Sequence, residues 1–129
     1  MIKQEKLERT EKANAVIKII ASCGRRFFHW NGIVSKIEIG NDGKIFFIDC
    51  FSQKRIYISE RSHRWIHFSE GGTLRSLIEW LAVYIKTGKL LNRGHFYFPE
   101  WYSEGDPWGY GDDMKIVQSE VEKIGIVDK

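Results

Sequence analysis

A chain of 129 residues, 43% hydrophobic and 29% charged, has the balance of one ordinary globular domain spanning 1–129. Two cysteines are too few for a disulfide scaffold, and no apolar run approaches the ~18 residues a membrane span needs. The formal charge of +3 is unevenly placed: residues 1–67 hold thirteen bases against seven acids, a balance of +6, which leaves −3 for the remainder. Such polarity suits a basic face for phosphates, or a homo-oligomer in which the acidic segment of one copy docks on the basic half of another. Charges spread around a solvated surface are the plainer alternative.

The first twelve residues, MIKQEKLERTEK, are charged and expected to fray. They lack a following apolar stretch and cleavage site, so no export signal is expected and the chain is assigned to the cytoplasm. There Cys23 and Cys50 are expected to be reduced, small and buried. Ala13, Val16, Ile17, Ile20 and Ala21 recur at helical spacing, and Gly24 suits the left-handed residue after the helix.

Next, RRFFHW runs into Asn31-Gly32, a pair that tolerates the positive φ of a type I′ hairpin turn. IVSKIEI alternates Ile33, Ser35, Ile37 and Ile39 with Val34, Lys36 and Glu38, the period-two pattern of a half-exposed strand. A tight turn at Gly40-Asn41-Asp42-Gly43 leads into KIFFIDCF, apolar on both faces and therefore a central strand. Ser52-Gln53 turns the chain into KRIYIS, where Arg55 and Tyr57 share a face, and RWIHF suggests a further short strand.

The segment FSEGGTLRSLIEWLAVYIKTGKLL holds the best helix signal, with Thr73 as its expected N-cap and Gly88 as its left-handed terminator. Its stripe of Leu74, Leu77, Ile78, Leu81 and Ile85 is expected to cross the inner face of the sheet. Regular pattern then vanishes from 92 to 113 in a long loop rich in aromatic and acidic residues. Met114, Val117, Val121 and Ile124 predict a last helix, entered through Asp112 or Asp113. The fold class is therefore α+β: an antiparallel β-meander of about four to five strands, with an N-terminal helix and two C-terminal helices packed on the sheet.

The blocks ASCGRRFF, FIDCFSQKRIY, FSEGGTLRSLIEWL and YIKTG together resemble small proteins encoded by bacteriophages and prophages, over roughly residues 14–90. The resemblance carries no activity, fold or ligand with it. What it implies is a setting, in which a short phage protein works in the host bacterial cytoplasm on a host or defence target.

Three constellations could carry chemistry. Gly71-Gly72-Thr73 opens the best helix with Arg75 just inside it, so free amides, the helix dipole and a hydroxyl could meet an anion, although the spacing is not that of a P-loop. The alternative is that the glycines only make the turn and Thr73 only caps the helix. Arg25, Arg26, Lys54, Arg55 and Tyr57 combine arginine forks with aromatic rings on a sheet, the equipment for phosphate contact and base stacking; strand aromatics also serve as ordinary core. In the 92–113 loop, Phe98, Trp101, Tyr102, Trp108 and Tyr110 could anchor a protein partner, with Trp101 and Trp108 foremost, or could simply cover the end of the core.

Catalytic and metal signals are weak. Cys23 has His29, His63, His67 and His95 as potential bases, but no spacing pairs it with one of them. His63 and His67 lie four apart in what reads as strand, the acids of the loop match no calcium pattern, and neither a metal nor another cofactor is expected. The expectation is a non-enzymatic module contacting the phosphate of a nucleic acid or nucleotide, with no membrane partner. The alternatives are an inhibitor of a host or defence protein acting through the aromatic-acidic loop, and a small enzyme.

Overall fold

The computed structural model describes residues 3–58, 65–99, 101–102 and 106–128. Elements follow in the order α1 (Gln4–Ala21), β1 (His29–Trp30), β2 (Ile33–Val34), β3 (Lys36–Ile39), β4 (Ile45–Ile48), β5 (Arg55–Tyr57), α2 (Gly72–Thr87) and α3 (Asp113–Ile124), with short 3-10 turns at Trp65–His67 and Arg93–His95. The fold is α+β, and its strands form two small antiparallel sheets, the ribbon β1-β2 and the meander β3-β4-β5.

Each turn follows from local chemistry. Asn31 and Gly32 both take positive φ, 48° and 80°, and close the ribbon as a two-residue hairpin. Gly43, at φ 85°, lets its N–H reach Gly40 O at 2.9 Å and so reverses the chain between β3 and β4. The run IVSKIEI does not stay one strand: Ser35 is buried, its N–H goes back to Phe28 O at 2.8 Å, and the chain leaves the ribbon there to join the meander. The doubly apolar β4 is the central strand.

The core gathers around α1, whose buried face is Ala13, Val16, Ile17, Ile20 and Ala21. This helix, rather than α2, brings its backbone against β2 and β3, and on its other flanks it meets α2 and α3. The wide stripe of α2, Leu74, Leu77, Ile78, Leu81 and Ile85, is buried in one core with Ile37, Phe47 and Ile56 of the meander and with α1, which α2 meets backbone to backbone. The two helices are also joined where Arg9 Nε donates to Ile85 O at 2.9 Å, a cation on carbonyls near the helix end. Gly88 terminates α2 at φ 79°, as expected of a glycine there.

One side chain fixes the sheet to this helix. Asn14 Nδ2 donates to Ile37 O at 2.9 Å, and Ile37 N donates to Asn14 Oδ1 at 2.7 Å. Because β3 is an edge strand, the outward main-chain groups of Ile37 would otherwise lack a protein partner, and the carboxamide supplies both halves of a missing strand.

Three local expectations are overturned. Trp65–His67 is a 3-10 turn and not a strand, a conformation that brings Trp65 and Phe68 into an edge-on contact with ring centroids 5.0 Å apart. Gly24 does not terminate α1, whose cap is Ser22; a Cβ at Gly24 would lie 2.8 Å from the Tyr110 ring, so the position is small because the loop packs on it. Thr73 does not cap α2 either, because the extended Gly71 holds that position and Gly72 is already helical.

Removing the Asn14 carboxamide leaves both main-chain groups of Ile37 unpaired beside the core. Asn14→Ala should therefore cost about 2–3 kcal/mol of stability, read as a lowered urea midpoint, while the Lys36→Ala change on the exposed face should cost less than about 0.5 kcal/mol.

Candidate functional site

The segment after α1 and the start of α2 form one seam. Leaving α1, the chain passes through Arg26 and Phe28, both in the left-handed region at φ 51° and 64°. That conformation is unfavourable for a bulky residue, and it is held by the complete burial of Phe28 and by its N–H, which donates to Glu70 Oε1 at 3.1 Å. Glu70 directly precedes the Gly71-Gly72 entry to α2, so this bond fastens the two segments side by side.

A cleft of about 190 Å³ opens along one side of the seam, lined by Arg25, Phe27, Gly71, Gly72, Thr73 and Tyr102 with Trp108 behind them. Two of the sequence-predicted groups, Arg25 and the Gly-Gly-Thr helix start, thereby come together. The Thr73 hydroxyl, released from capping, shares a 3.1 Å hydrogen bond with Tyr102 Oη. The helix start presents main-chain amides and the positive end of its dipole, and among the described residues that line the cleft there is no carboxylate. Among the described residues Arg25 forms no ion pair, and its guanidinium lies 5.8 Å from the centre of the Tyr110 ring.

The other basic residues do not join this cleft. Arg75 points along α2 to Glu79 at 2.9 Å and lies over Trp65, which occupies its charge locally. Arg55 and Tyr57 do share a face, the outer face of the meander, where Arg55 stacks 3.6 Å from the centre of the Phe46 ring and meets Glu38 at 3.6 Å. Arg26 and Lys54 are exposed and without an ion pair among the described residues. The basic half of the chain is therefore divided over separate surfaces.

The aromatic loop divides as well. Trp101 and Tyr110 are exposed, 84% and 80%, whereas Trp108 is only 1% exposed. Trp108 packs edge-on against Phe27 and Phe98, and its indole N–H is buried without a hydrogen-bond partner among the described residues. Its role as a partner anchor is thus corrected: the ring is core, and truncating it would open a cavity. Phe98 is half-buried and stacks on Tyr102 at 5.0 Å.

Two acids shape this loop. Asp106 accepts from Gly109 N at 3.1 Å and Gly111 N at 2.9 Å, while Asp113 Oδ2 accepts from Tyr110 N at 3.1 Å and Gly24 N at 3.3 Å. A Cβ on Gly109 would overlap the Asp113 carboxylate. Asp112 stands at the N-cap of α3 without a side-chain cap bond, and Asp113 is already inside the helix.

Neither cysteine is poised as a nucleophile. Burial first, then the nearby carboxylates of Asp113 and Asp106, push the Cys23 thiol up to about 11. Burial likewise raises Cys50, although that thiol, and not Cys23, shares a cleft with His29 and His67. The expectations concerning His63 lie outside the described residues. No group of His, Cys, Asp and Glu among the described residues is arranged to hold a metal ion, and no described helix is long and apolar enough to cross a membrane.

Sequence pattern does not mark a second, larger cleft of about 490 Å³, lined by Trp30, Phe51, Ile66, Phe68 and Glu70. Its one advance signal was Asp49, a lone acid inside the apolar run FIDCF. Asp49 is fully buried and accepts from Phe51 N, Ser52 N, Ser69 N and Ser69 Oγ at 2.8–3.0 Å.

Fold and clefts together define a small α+β protein with a cleft at a helix start. A family model described as YoqU matches residues 3–129, and the chain belongs to that family. No curated protein and no solved structure matches it.

Two outcomes follow for this region. Trp108→Ala should lower stability by roughly 3–5 kcal/mol in chemical denaturation, whereas Trp101→Ala should change it by less than about 0.5 kcal/mol. In the native protein at pH 8, Cys23 should resist alkylation and become reactive in denaturant, with native reactivity rising only as the pH approaches its raised pKa of about 11; rapid native labelling at pH 8, located by mass spectrometry, would contradict this.

Proposed function

We propose that the protein is a binding module, without catalytic activity of its own, that takes a phosphate group of a nucleotide or nucleic acid into the cleft between Arg25 and the start of α2. The observation that carries this reading is the composition of that cleft among the described residues: one guanidinium without an ion pair, a helix N-terminus entered through two glycines, a hydroxyl pair and no carboxylate. Arginine matches phosphate oxygens with a rigid fork of donors, and glycines let an anion approach the main-chain amides closely. A cleft near 190 Å³ is smaller than the ~300–1,000 Å³ of typical sites for whole small molecules, which favours a single phosphate over an entire ligand. The exposed Arg26 lies one residue from Arg25 and extends the positive potential, while Lys54 and the Arg55–Tyr57 face add contacts only for a polymer long enough to reach them.

A second reading rests on a different observation, the 84% and 80% exposure of Trp101 and Tyr110. Large aromatic rings left in water are the usual anchors of a protein interface, here with a host protein or a second copy, and this assigns Trp101 and Tyr110, without Trp108, to the contact. The resemblance to phage-encoded proteins supports a setting in the host cytoplasm for both readings.

Mobility shifts with short single- and double-stranded nucleic acids at low and moderate salt, together with the ultraviolet spectrum of the natively purified protein, separate them. Phosphate binding should weaken steeply with salt, and Arg25→Ala should reduce affinity roughly tenfold, while Arg75→Ala, already paired with Glu79, should change it less than about threefold. A clean protein spectrum and no shift at low salt would sink the phosphate reading and favour Trp101→Ala in pull-downs from host extract.

A further inference from the structure

The larger cleft has the features of a ligand site in its own right. Its volume of about 490 Å³ lies within the ordinary range for small-molecule pockets. Trp30 and Phe51 meet edge to face at 5.0 Å and remain 54% and 57% exposed, an apolar surface that a folded protein rarely leaves uncovered inside a cleft. Phe68 closes the wall from the other side, while His29, His67 and Glu70 supply polar groups.

The walls are held before any ligand arrives. The buried Asp49 carboxylate grips the Phe51-Ser52 turn with one oxygen and Ser69 with the other, and Ser52 Oγ donates to His67 O at 2.7 Å. The Phe51-Ser52 turn and the segment leading to Glu70 are therefore tied together at their main chains, which lowers the ordering entropy that opposes binding. Glu70 is half-buried, and burial, aided by the nearby charge of Asp49, keeps its carboxyl above the ordinary range despite the Phe28 N–H it accepts. A ligand amino group would restore the hydrogen bonding that burial takes from it.

The position of this cleft relative to the first narrows the ligand class. Glu70 lines the larger cleft and the next residue, Gly71, lines the smaller, with consecutive Cα atoms ~3.8 Å apart; on the segment fastened beside them Phe27 lines the smaller cleft while His29 and Trp30 line the larger. A ligand with a flat aromatic group and a phosphate a few bonds away matches that arrangement. Building on the phosphate reading above, we infer that the larger cleft takes the base of a nucleotide, stacked on Trp30 and Phe51 with an exocyclic amino group directed to Glu70. Adenine, cytosine and guanine carry such a group and uracil does not, which sets the selectivity. Asp49 acts here as a positioning residue.

The test separates the two halves of the nucleotide on the full-length chain. Adenosine, cytidine, guanosine and uridine, which lack phosphate, are titrated by calorimetry or tryptophan fluorescence, and ribose 5-phosphate, which lacks a base, is titrated separately. The expected result is saturable binding of the amino-bearing nucleosides, weakened roughly five- to hundredfold by Trp30→Ala or Phe51→Ala, both at exposed positions that the fold tolerates. Glu70→Gln should narrow the difference from uridine, and Lys36→Ala, which changes neither cleft, should leave nucleoside binding unchanged. No saturation by any nucleoside, or equal binding to wild type and to both aromatic variants, would overturn the base cleft even if ribose 5-phosphate binds. Nucleoside binding without ribose 5-phosphate binding would uphold the base cleft and remove the phosphate reading on which it was built.

Discussion

The architecture depends on α1 lying between the sheet and the other two helices, and on the Asn14 carboxamide that makes this arrangement specific. Hydrophobic contact alone would let the helix slide along an apolar sheet face, since burial is not directional. The pair of hydrogen bonds to Ile37 limits that freedom, because the carboxamide must meet an outward N–H and C=O of the edge strand together and the strand offers such a pair only at every second residue. With β3 located, β4 and β5 follow through the ladder, and the exit of α1 at Ser22 sets where the Arg25–Trp30 segment must begin.

A common device recurs wherever the chain is irregular. Asp49 organises the turn before β5 and the approach to α2, Asp106 the loop ahead of α3, and Asp113 the contact between that loop and the end of α1. In each case a carboxylate gathers main-chain amides that regular structure leaves unpaired, which ties irregular segments to the core. The glycines in these stretches follow from it: Gly24 and Gly109 are tightly overpacked by Tyr110 and Asp113, so side chains are excluded there by contact with the loop, not by backbone conformation.

Charge is used locally. The excess of bases in the first half suggests one basic face, but Arg55 is held by Glu38 and an aromatic ring and Arg75 by Glu79. Exposed pairs of this kind contribute little stability, yet they lower the field available to a distant anion. What remains around Arg25 is modest in extent and defined by its neighbours, the helix start above all.

Much of the fold was legible because it rests on short-range rules. The hairpin at Asn31-Gly32, the turn at Gly43, the central position of the doubly apolar β4 and the glycine stop at Gly88 each follow from what a few adjacent residues can adopt. The pairing of Gly71-Gly72-Thr73 as a helix entrance was equally visible, although the cap itself falls on Gly71. Periodicity could not say that α1 would bring its backbone against the sheet, that Trp65 and Phe68 would share a side through a 3-10 turn, or that Trp108 would be core while Trp101 is exposed. Those outcomes depend on residues far apart in sequence: Tyr102 on Thr73, Asp113 on Gly24, Glu70 on Phe28. Local backbone preference and hydrophobic period were enough to place the three helices and the tight turns, though not the break at Ser35 or the turn at Trp65–His67. Which side chains share a cleft is set by burial and long-range hydrogen bonding, which select among surfaces that local pattern leaves equivalent.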